Sequence, residues 1–134
     1  MKFLCITLLF FIACKTSSKT DITGKSWVLY ELNGNPVVAD SIMPTIHMIA
    51  FAAGENKFNG STGCNKMGGH YELKEGNRIR FYNVITTKMA CLNLMDLENR
   101  FLQVINIADN YNLNGHTLTL NKARMAPLAR FKRM

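Results

Sequence analysis

The stretch His70-Tyr71-Glu72-Leu73-Lys74-Glu75-Gly76-Asn77-Arg78-Ile79-Arg80-Phe81 decides the fold class. Tyr71 and Leu73 alternate with His70, Glu72 and Lys74. Ile79 and Phe81 alternate with Arg78 and Arg80. Period-two alternation marks half-buried strands with one solvated face. Glu75-Gly76-Asn77 lies between them, and Gly and Asn tolerate the positive φ of a tight hairpin. Two antiparallel strands are therefore expected here. Asn114-Gly115 makes a second hairpin, with Leu118 and Leu120 alternating against Thr117 and Thr119. Ala129 and Phe131 suggest a last strand after Pro127. Trp27 to Leu32 and Thr45 to Ala53 are apolar on both faces, the pattern of strands covered on two sides.

Between the hairpins the period changes. Leu94, Leu97, Phe101, Val104, Ile105 and Ala108 fall at helical spacings and make one apolar stripe of about four turns. Asn93 is placed to cap the start, Asp96 and Glu98 suit the positive end, and Asn110 can close the far end. Strands, one helix, then more strands, joined by short links, imply a strongly curved antiparallel sheet with the helix lying over or closing it.

On the other side of the opening stretch, five of the nine glycines (Gly54, Gly60, Gly63, Gly68, Gly69) fall between residues 54 and 69. Glycine permits bulges and close backbone approach, which a curling sheet needs. Asn65, beside Cys64, is suited to satisfy backbone groups at a bend.

The chain has 134 residues, 48% of them hydrophobic and 19% charged. That is one domain with a real core, and the composition excludes disorder and collagen-like repetition. The apolar residues are concentrated at the start. Phe3 to Ala13 holds only Thr7 as a polar residue, a run too short to span a bilayer but right for a signal-peptide core. Phe11-Ile12-Ala13-Cys14 resembles a bacterial lipobox, in which Cys14 is lipidated. Phe11 departs from the aliphatic residue preferred there, and an ordinary signal peptide with Cys14 incidental is the alternative. The expected organisation is a lipoprotein signal peptide over 1–13, a lipidated tether over 14–25 and a folded domain over 26–134. Lys15 to Lys25 carries one aliphatic residue, Ile22. As a coil it would span on the order of 18 Å.

Export leaves Cys64 and Cys91 in the folded part, in a compartment where disulfides persist. A bond between them is expected, worth about 3.5 kcal/mol on the chain-entropy relation. Two buried free thiols are the alternative.

Two motif blocks, G-x-x-G-C-N-x-x-x-G-x-Y (Gly60, Gly63, Cys64, Asn65, Gly69, Tyr71) and T-x-M-A-C (Thr87, Met89, Ala90, Cys91), precede Glu98 and Phe101 on the helix. With Trp27-Val28-Leu29 and Asn33-Gly34 near the start, they resemble the META domain family, over about Lys25 to Phe131. Lys88 stands where the family often has Arg. The resemblance implies an α+β fold, a curved antiparallel sheet closing nearly into a barrel with one α-helix. It also implies a bacterial envelope protein, commonly a lipoprotein, with no established catalytic activity. Members are connected with heat stress and antibiotic tolerance, and protozoan relatives with virulence.

The residues themselves point away from catalysis. A cysteine nucleophile needs a base within reach. His70 falls on the solvated face, His47 among apolar residues, and His116 in a turn. The Cys and His residues lack metal-ligand spacing, and the glycine run lacks the ending of a phosphate loop. No cofactor and no metal are expected. Asn59-Gly60-Ser61 spells a glycosylation acceptor, of little weight beside a lipobox.

The formal charge of +7 is uneven. Lys122, Arg124, Arg130, Lys132 and Arg133 put five positive charges and no acid into the last thirteen residues. Beside a membrane such an end can attract anionic lipid or an acidic envelope protein; nucleic acid is not expected in that compartment. A solvated strand and frayed end is the plain alternative. The reading at this level is a monomeric, non-catalytic lipoprotein, lipid-anchored at the outer membrane, serving as a binding or stability module. Two other classes stand beside it. One is a carrier of lipid or a small apolar ligand, with Trp27, Phe51, Phe81 and Phe101 lining a cavity between sheet and helix. The other is a pilot or inhibitor protein docking by an edge strand.

Overall fold

The computed structural model describes residues 21–38 and 46–134. The signal peptide, Cys14 and most of the expected tether lie outside the described residues. The elements are β1 (Lys25–Leu32), β2 (Asn35–Pro36), β3 (His47–Phe51), β4 (Lys57–Thr62), β5 (Lys66–Lys74), β6 (Arg78–Thr86), α1 (Met95–Ile107), β7 (Asn110–Asn114), β8 (Thr117–Asn121) and β9 (Ala129–Arg133). Every pairing is antiparallel, in the order β2-β1-β3-β4-β5-β6-β7-β8-β9, and β9 returns to pair with β1. The sheet thus closes into an eight-strand barrel, with β2 a short hairpin extension of β1. The fold is the α+β near-barrel expected from the sequence.

Closure is uneven. β5 and β6 pair over nearly their whole length, whereas β6 meets β7 at the single pair Arg78↔Asn110. Helix α1 is the connection between those two strands and packs over the gap. Its Phe101, Val104 and Ile105 join Trp27, Phe51, Leu118 and Phe131 in one buried core. Phe51 packs edge-on against Tyr71 at 4.9 Å, and Phe58 against Phe81 at 5.1 Å. Edge-to-face contacts of this kind add to the area term. The four aromatics named as cavity liners, Trp27, Phe51, Phe81 and Phe101, are buried members of one core cluster.

The barrel bends sharply where β6 carries one residue more than β5. Gly68 pairs with Ile85 and His70 with Tyr82, so Asn83 and Val84 oppose Gly69 alone. Asn83 takes a φ of 51°, and a Cβ on Gly69 would lie 2.9 Å from the Asn83 carbonyl oxygen. Gly69 is therefore required by the bulge opposite it. The bulge also moves the inward positions of β6 from Ile79 and Phe81 to Val84 and Thr86, leaving Ile85 exposed.

Four local expectations are corrected. The folded domain begins before residue 26: Ile22 is fully buried, its carbonyl accepts the Trp27 indole N–H at 3.2 Å, and the Gly24 amide bonds Phe51. One aliphatic residue in a polar stretch was enough to plug the barrel end. β1 and β3 are not covered on both faces. Their burial alternates, and the outward Val28, Tyr30, Met48 and Ala50 stay half-buried, Tyr30 under the Lys132 ammonium at 5.2 Å. Asn93 does not cap the helix. It takes a φ of 72°, the cap position falls to Leu94, and no side chain bonds there. Asn110 does not close the helix either; Ala108 ends it, and Asn110 opens β7.

Candidate functional site

The two motif blocks meet at one end of the barrel, around the side chain of Asn65. The turn from β4 to β5 runs Thr62 to Asn65. The Thr62 amide donates to the Asn65 carbonyl at 2.9 Å, and the Asn65 amide donates to the Thr62 hydroxyl oxygen at 3.2 Å. This turn holds the Asn65 side chain inside, where its amide reaches three places. Nδ2 donates to Glu98 Oε1 at 2.7 Å and to the Met89 carbonyl at 3.1 Å. Oδ1 accepts from the Met89 amide at 2.7 Å and from the Thr87 hydroxyl at 2.9 Å. Thr62 gives its hydroxyl proton to Glu98 Oε2 at 2.6 Å. Thr62, Asn65 and Glu98 are all buried. A buried polar group without a partner costs about 1–3 kcal/mol, so a fully bonded set fixes one arrangement strongly.

Cys64 and Cys91 form a disulfide across this junction, with Cα atoms 6.0 Å apart and a sequence separation of 27. It ties the β4–β5 turn to the loop over residues 87–94. Gly63, Cys64, Asn65, Thr87, Met89 and Cys91 of the motif thus come together as a structural knot. Gly63, with φ 100°, lets the turn pass over the His47 ring; a Cβ there would lie 2.6 Å from Nε2. His47 is 4% exposed and its Nε2 has no partner. Burial pushes its pKa below the usual 6.5, with the Glu98 carboxyl pulling the other way.

Gly60 faces the backbone of β3, Gly69 the β6 bulge, and Tyr71 the core at the other end of the barrel. Met89 is held by its backbone while its side chain projects into solvent, and Ala90 is exposed beside it. Leu92 and Ile85 are exposed nearby, and Met95 partly so. Between this loop and the helix, Thr86, Thr87, Lys88, Met95, Asn99 and Leu102 line an open cleft of about 320 Å³.

The basic residues of the last thirteen do not pool. Arg130 bonds Glu31 at 2.7 Å, Lys122 bonds Asp109 at 3.3 Å, and Lys132 lies over Tyr30. Arg133 sits 3.4 Å from the His116 ring, and Arg124 is exposed in the loop before β9. Alternation along β9 sends Arg130 and Lys132 outward, where cross-strand neighbours meet them. His70 is half-buried, stacked on Tyr82 at 5.3 Å.

Sequence reasoning gave Glu98 to the helix dipole and missed its role as the buried acceptor of the knot. Its place in the first helical turn, on the side of the apolar stripe beside Leu97 and Phe101, was the available signal. Thr62 and Asp109 were also missed. At the far end of the helix, Asp109 accepts from the Ala123 amide at 2.8 Å and from Asn110 Nδ2 at 2.7 Å. Those bonds, with Lys122, hold its carboxyl down to about 2. A second cleft, of about 300 Å³, opens there among Arg78, Ile79, Arg80, Asn106 and Ile107. Among the described residues, no group of three or more His, Cys, Asp or Glu is placed to hold a metal ion. No described helix is long and apolar enough to cross a membrane.

A profile of the META domain matches residues 20–134. No curated protein matches the chain. Among solved structures, an NMR structure of a protein from Burkholderia xenovorans aligns with TM-score 0.67 at 22% identity, over 84% of this chain and 83% of that one. A second NMR structure aligns with TM-score 0.65 at 25% identity, over 83% and 90%. A crystal structure of a DUF4847 family protein from Bacteroides vulgatus aligns with TM-score 0.61 at 16% identity, over 83% and 93%. These likenesses show the fold.

Proposed function

From the premise that this chain belongs to the META domain family, we propose that it is a non-catalytic lipoprotein of the bacterial cell envelope, a binding or stability module that serves stress tolerance. The observation that carries this reading is the knot. Its cysteines are spent on each other, and the polar atoms of Asn65 and Glu98 are spent on neighbours. A nucleophile and base need free electron pairs aimed at an accessible space, and the motif does not offer them. What the knot leaves to the outside is a loop with Met89 and Leu92 exposed.

The lipid anchor rests on Phe3–Ala13 followed by Cys14, and its proposed place is the outer membrane. The disulfide supports the same compartment, since such bonds persist outside the reducing cytoplasm. The four aromatics that a carrier would need as liners are buried together in the core cluster, which favours a module that binds by its surface.

Three measurements test this. Cys14→Ser should move the protein from the membrane to the soluble envelope fraction; an unchanged distribution would end the anchor reading. Affinity capture from envelope extracts, with and without heat stress, should retain a partner on the wild-type chain. Turnover of any substrate by the purified chain, lost on Asn65→Ala at a temperature where the variant stays folded, would reverse the non-catalytic reading.

A further inference from the structure

Strand β6 is paired on both sides only at its start. On one side β5 accompanies it to Thr86. On the other, contact with β7 ends at Arg78↔Asn110 and the bond from the Ile79 amide to the Asp109 carbonyl. Among the described residues, no backbone group of residues 80–86 finds a partner on that side. Backbone groups alternate sides along a strand. The Ile79 amide faces β7, and the Thr87 amide faces Lys66 of β5. The N–H and C=O of Phe81 and Thr86 therefore face the open side.

Helix α1 runs back beside this free edge. Met95 lies with Thr86 at one end, and Ile107 with Ile79 at the other. Met95, Asn99, Leu102 and Asn106 are spaced four, three and four apart, which puts them on one helix face. The first three line the 320 Å³ cleft at the loop end; Asn106 lines the 300 Å³ cleft at the other. An unpaired strand edge facing a helix stripe, with a cleft at each end, is the geometry that takes an extended chain as an added strand.

The charges choose the occupant. Lys88 is exposed at the loop-end cleft, whose one acid, Glu98, is buried beneath it. Lys74, Arg78, Arg80 and Lys122 stand at the other against two acids, Glu72, paired with Lys74, and Asp109, paired with Arg78 and Lys122. The exposed charge at both ends is therefore mainly positive. A concave seam suits a chain better than a flat bilayer. The loop also lies at the barrel end opposite Lys25, where the chain enters the fold.

We propose that the seam between β6 and α1 binds an extended segment of a partner protein in which acidic and apolar residues alternate. The segment adds as a strand on the β6 edge, sets its apolar side chains against Met95 and Leu102, and turns its carboxylates toward Lys88 and Arg80. This rests on the binding-module reading and names its site and partner class.

The test titrates the full-length chain, in detergent micelles, into a fluorescein-labelled octapeptide of alternating Glu and Val, with a Lys–Val octapeptide as control. The expected result is at least tenfold tighter binding of the Glu–Val peptide. Thr86→Pro removes one seam-side donor without touching the β5 ladder, and Met95→Glu repels the carboxylates from an exposed position. Each should weaken binding at least tenfold, and Met95→Lys should not. Equal binding of the two peptides would overturn the proposal, as would Glu–Val binding that survives both Thr86→Pro and Met95→Glu. Self-association of the chain that competes with the peptide, or binding to phosphatidylglycerol vesicles with none to the peptide, would do so as well. Should the seam fail in any of these ways while envelope extracts still yield a captured partner, the binding-module reading stands and only its site is wrong.

Discussion

Helix α1 is fastened at both ends by an acidic side chain, and the two fastenings differ in kind. At its start, Glu98 is 4% exposed and bonded to Thr62 and Asn65, with a disulfide alongside. At its end, Asp109 remains partly exposed and gathers the Ala123 amide, Asn110, Lys122 and Arg78, the last at 3.8 Å. Burial makes the first fastening all-or-none, because any member removed leaves its partners without water to replace it. Solvent makes the second forgiving, because water and salt substitute for whichever partner is lost. The helix spans the gap that β6 and β7 leave in the barrel. Its start is therefore locked, and its end is adjustable.

The largest effect that could break this contrast is at Asn65. Asn65→Ala strips Glu98 Oε1, the Met89 amide and the Thr87 hydroxyl of their partner at once. By the cost of leaving buried polar groups unpaired, the loss should be about 3–5 kcal/mol, read by urea denaturation. Asn65→Asp keeps the acceptor for Met89 and Thr87 but sets a second carboxyl against the first, so it should be rescued by acid where Asn65→Ala is not. A loss under about 1 kcal/mol for Asn65→Ala would mean that the knot is wet and the contrast false.

The next effect separates the covalent tie from the hydrogen bonds. Replacing both Cys64 and Cys91 with Ser should cost about 3.5 kcal/mol by the loop-entropy relation, again read by denaturation. Because the disulfide and Asn65 hold the same loop, the triple variant should lose less than the sum of the separate losses. Strict additivity would show that the two devices act independently.

Much of this was legible before the structure. The alternation of His70 to Phe81 and the turn at Glu75-Gly76-Asn77 named one hairpin correctly, because one solvated face leaves a period-two trace. Cys64 and Cys91 were paired from the compartment alone. The knot was not legible as a network, since Thr62, Asn65 and Glu98 come from a strand end, a turn and a helix 33 residues on from Asn65. No local period records such a meeting. Glu98 was assigned by its place in the first helical turn, where an acid has an ordinary use, and that use hid the tertiary one. The expected Asn93 cap failed similarly: the loop that presents Met89 needed a residue with positive φ there, and Asn serves that need as readily as a cap. The basic end looked like a patch because charge was summed along the chain. In the barrel, β9 lies between β1 and β8, so Arg130 meets Glu31 from the far end of the sequence.

The smallest effects lie in pH, and they sharpen the comparison because the two ends should fail in different windows. His47, beneath the knot, titrates below 6.5 when folded, so the unfolded chain takes up its proton first. Its contribution is whole above pH 6.5 and is lost as pH falls from there through the folded value. Asp109 titrates at about 2 when folded against 3.8 unfolded. Its contribution is whole above pH 3.8 and is lost as pH falls from there toward 2. Denaturation curves collected from pH 8 to pH 2 should therefore show two separate declines. His47→Gln should flatten the upper decline and leave the lower one. Asp109→Asn should flatten the lower decline, lower stability at neutral pH by less than either knot substitution, and leave the disulfide-held loop untouched. If Asp109→Asn instead matched Asn65→Ala in size, the helix end would be as locked as its start, and the barrel gap would be held from both sides.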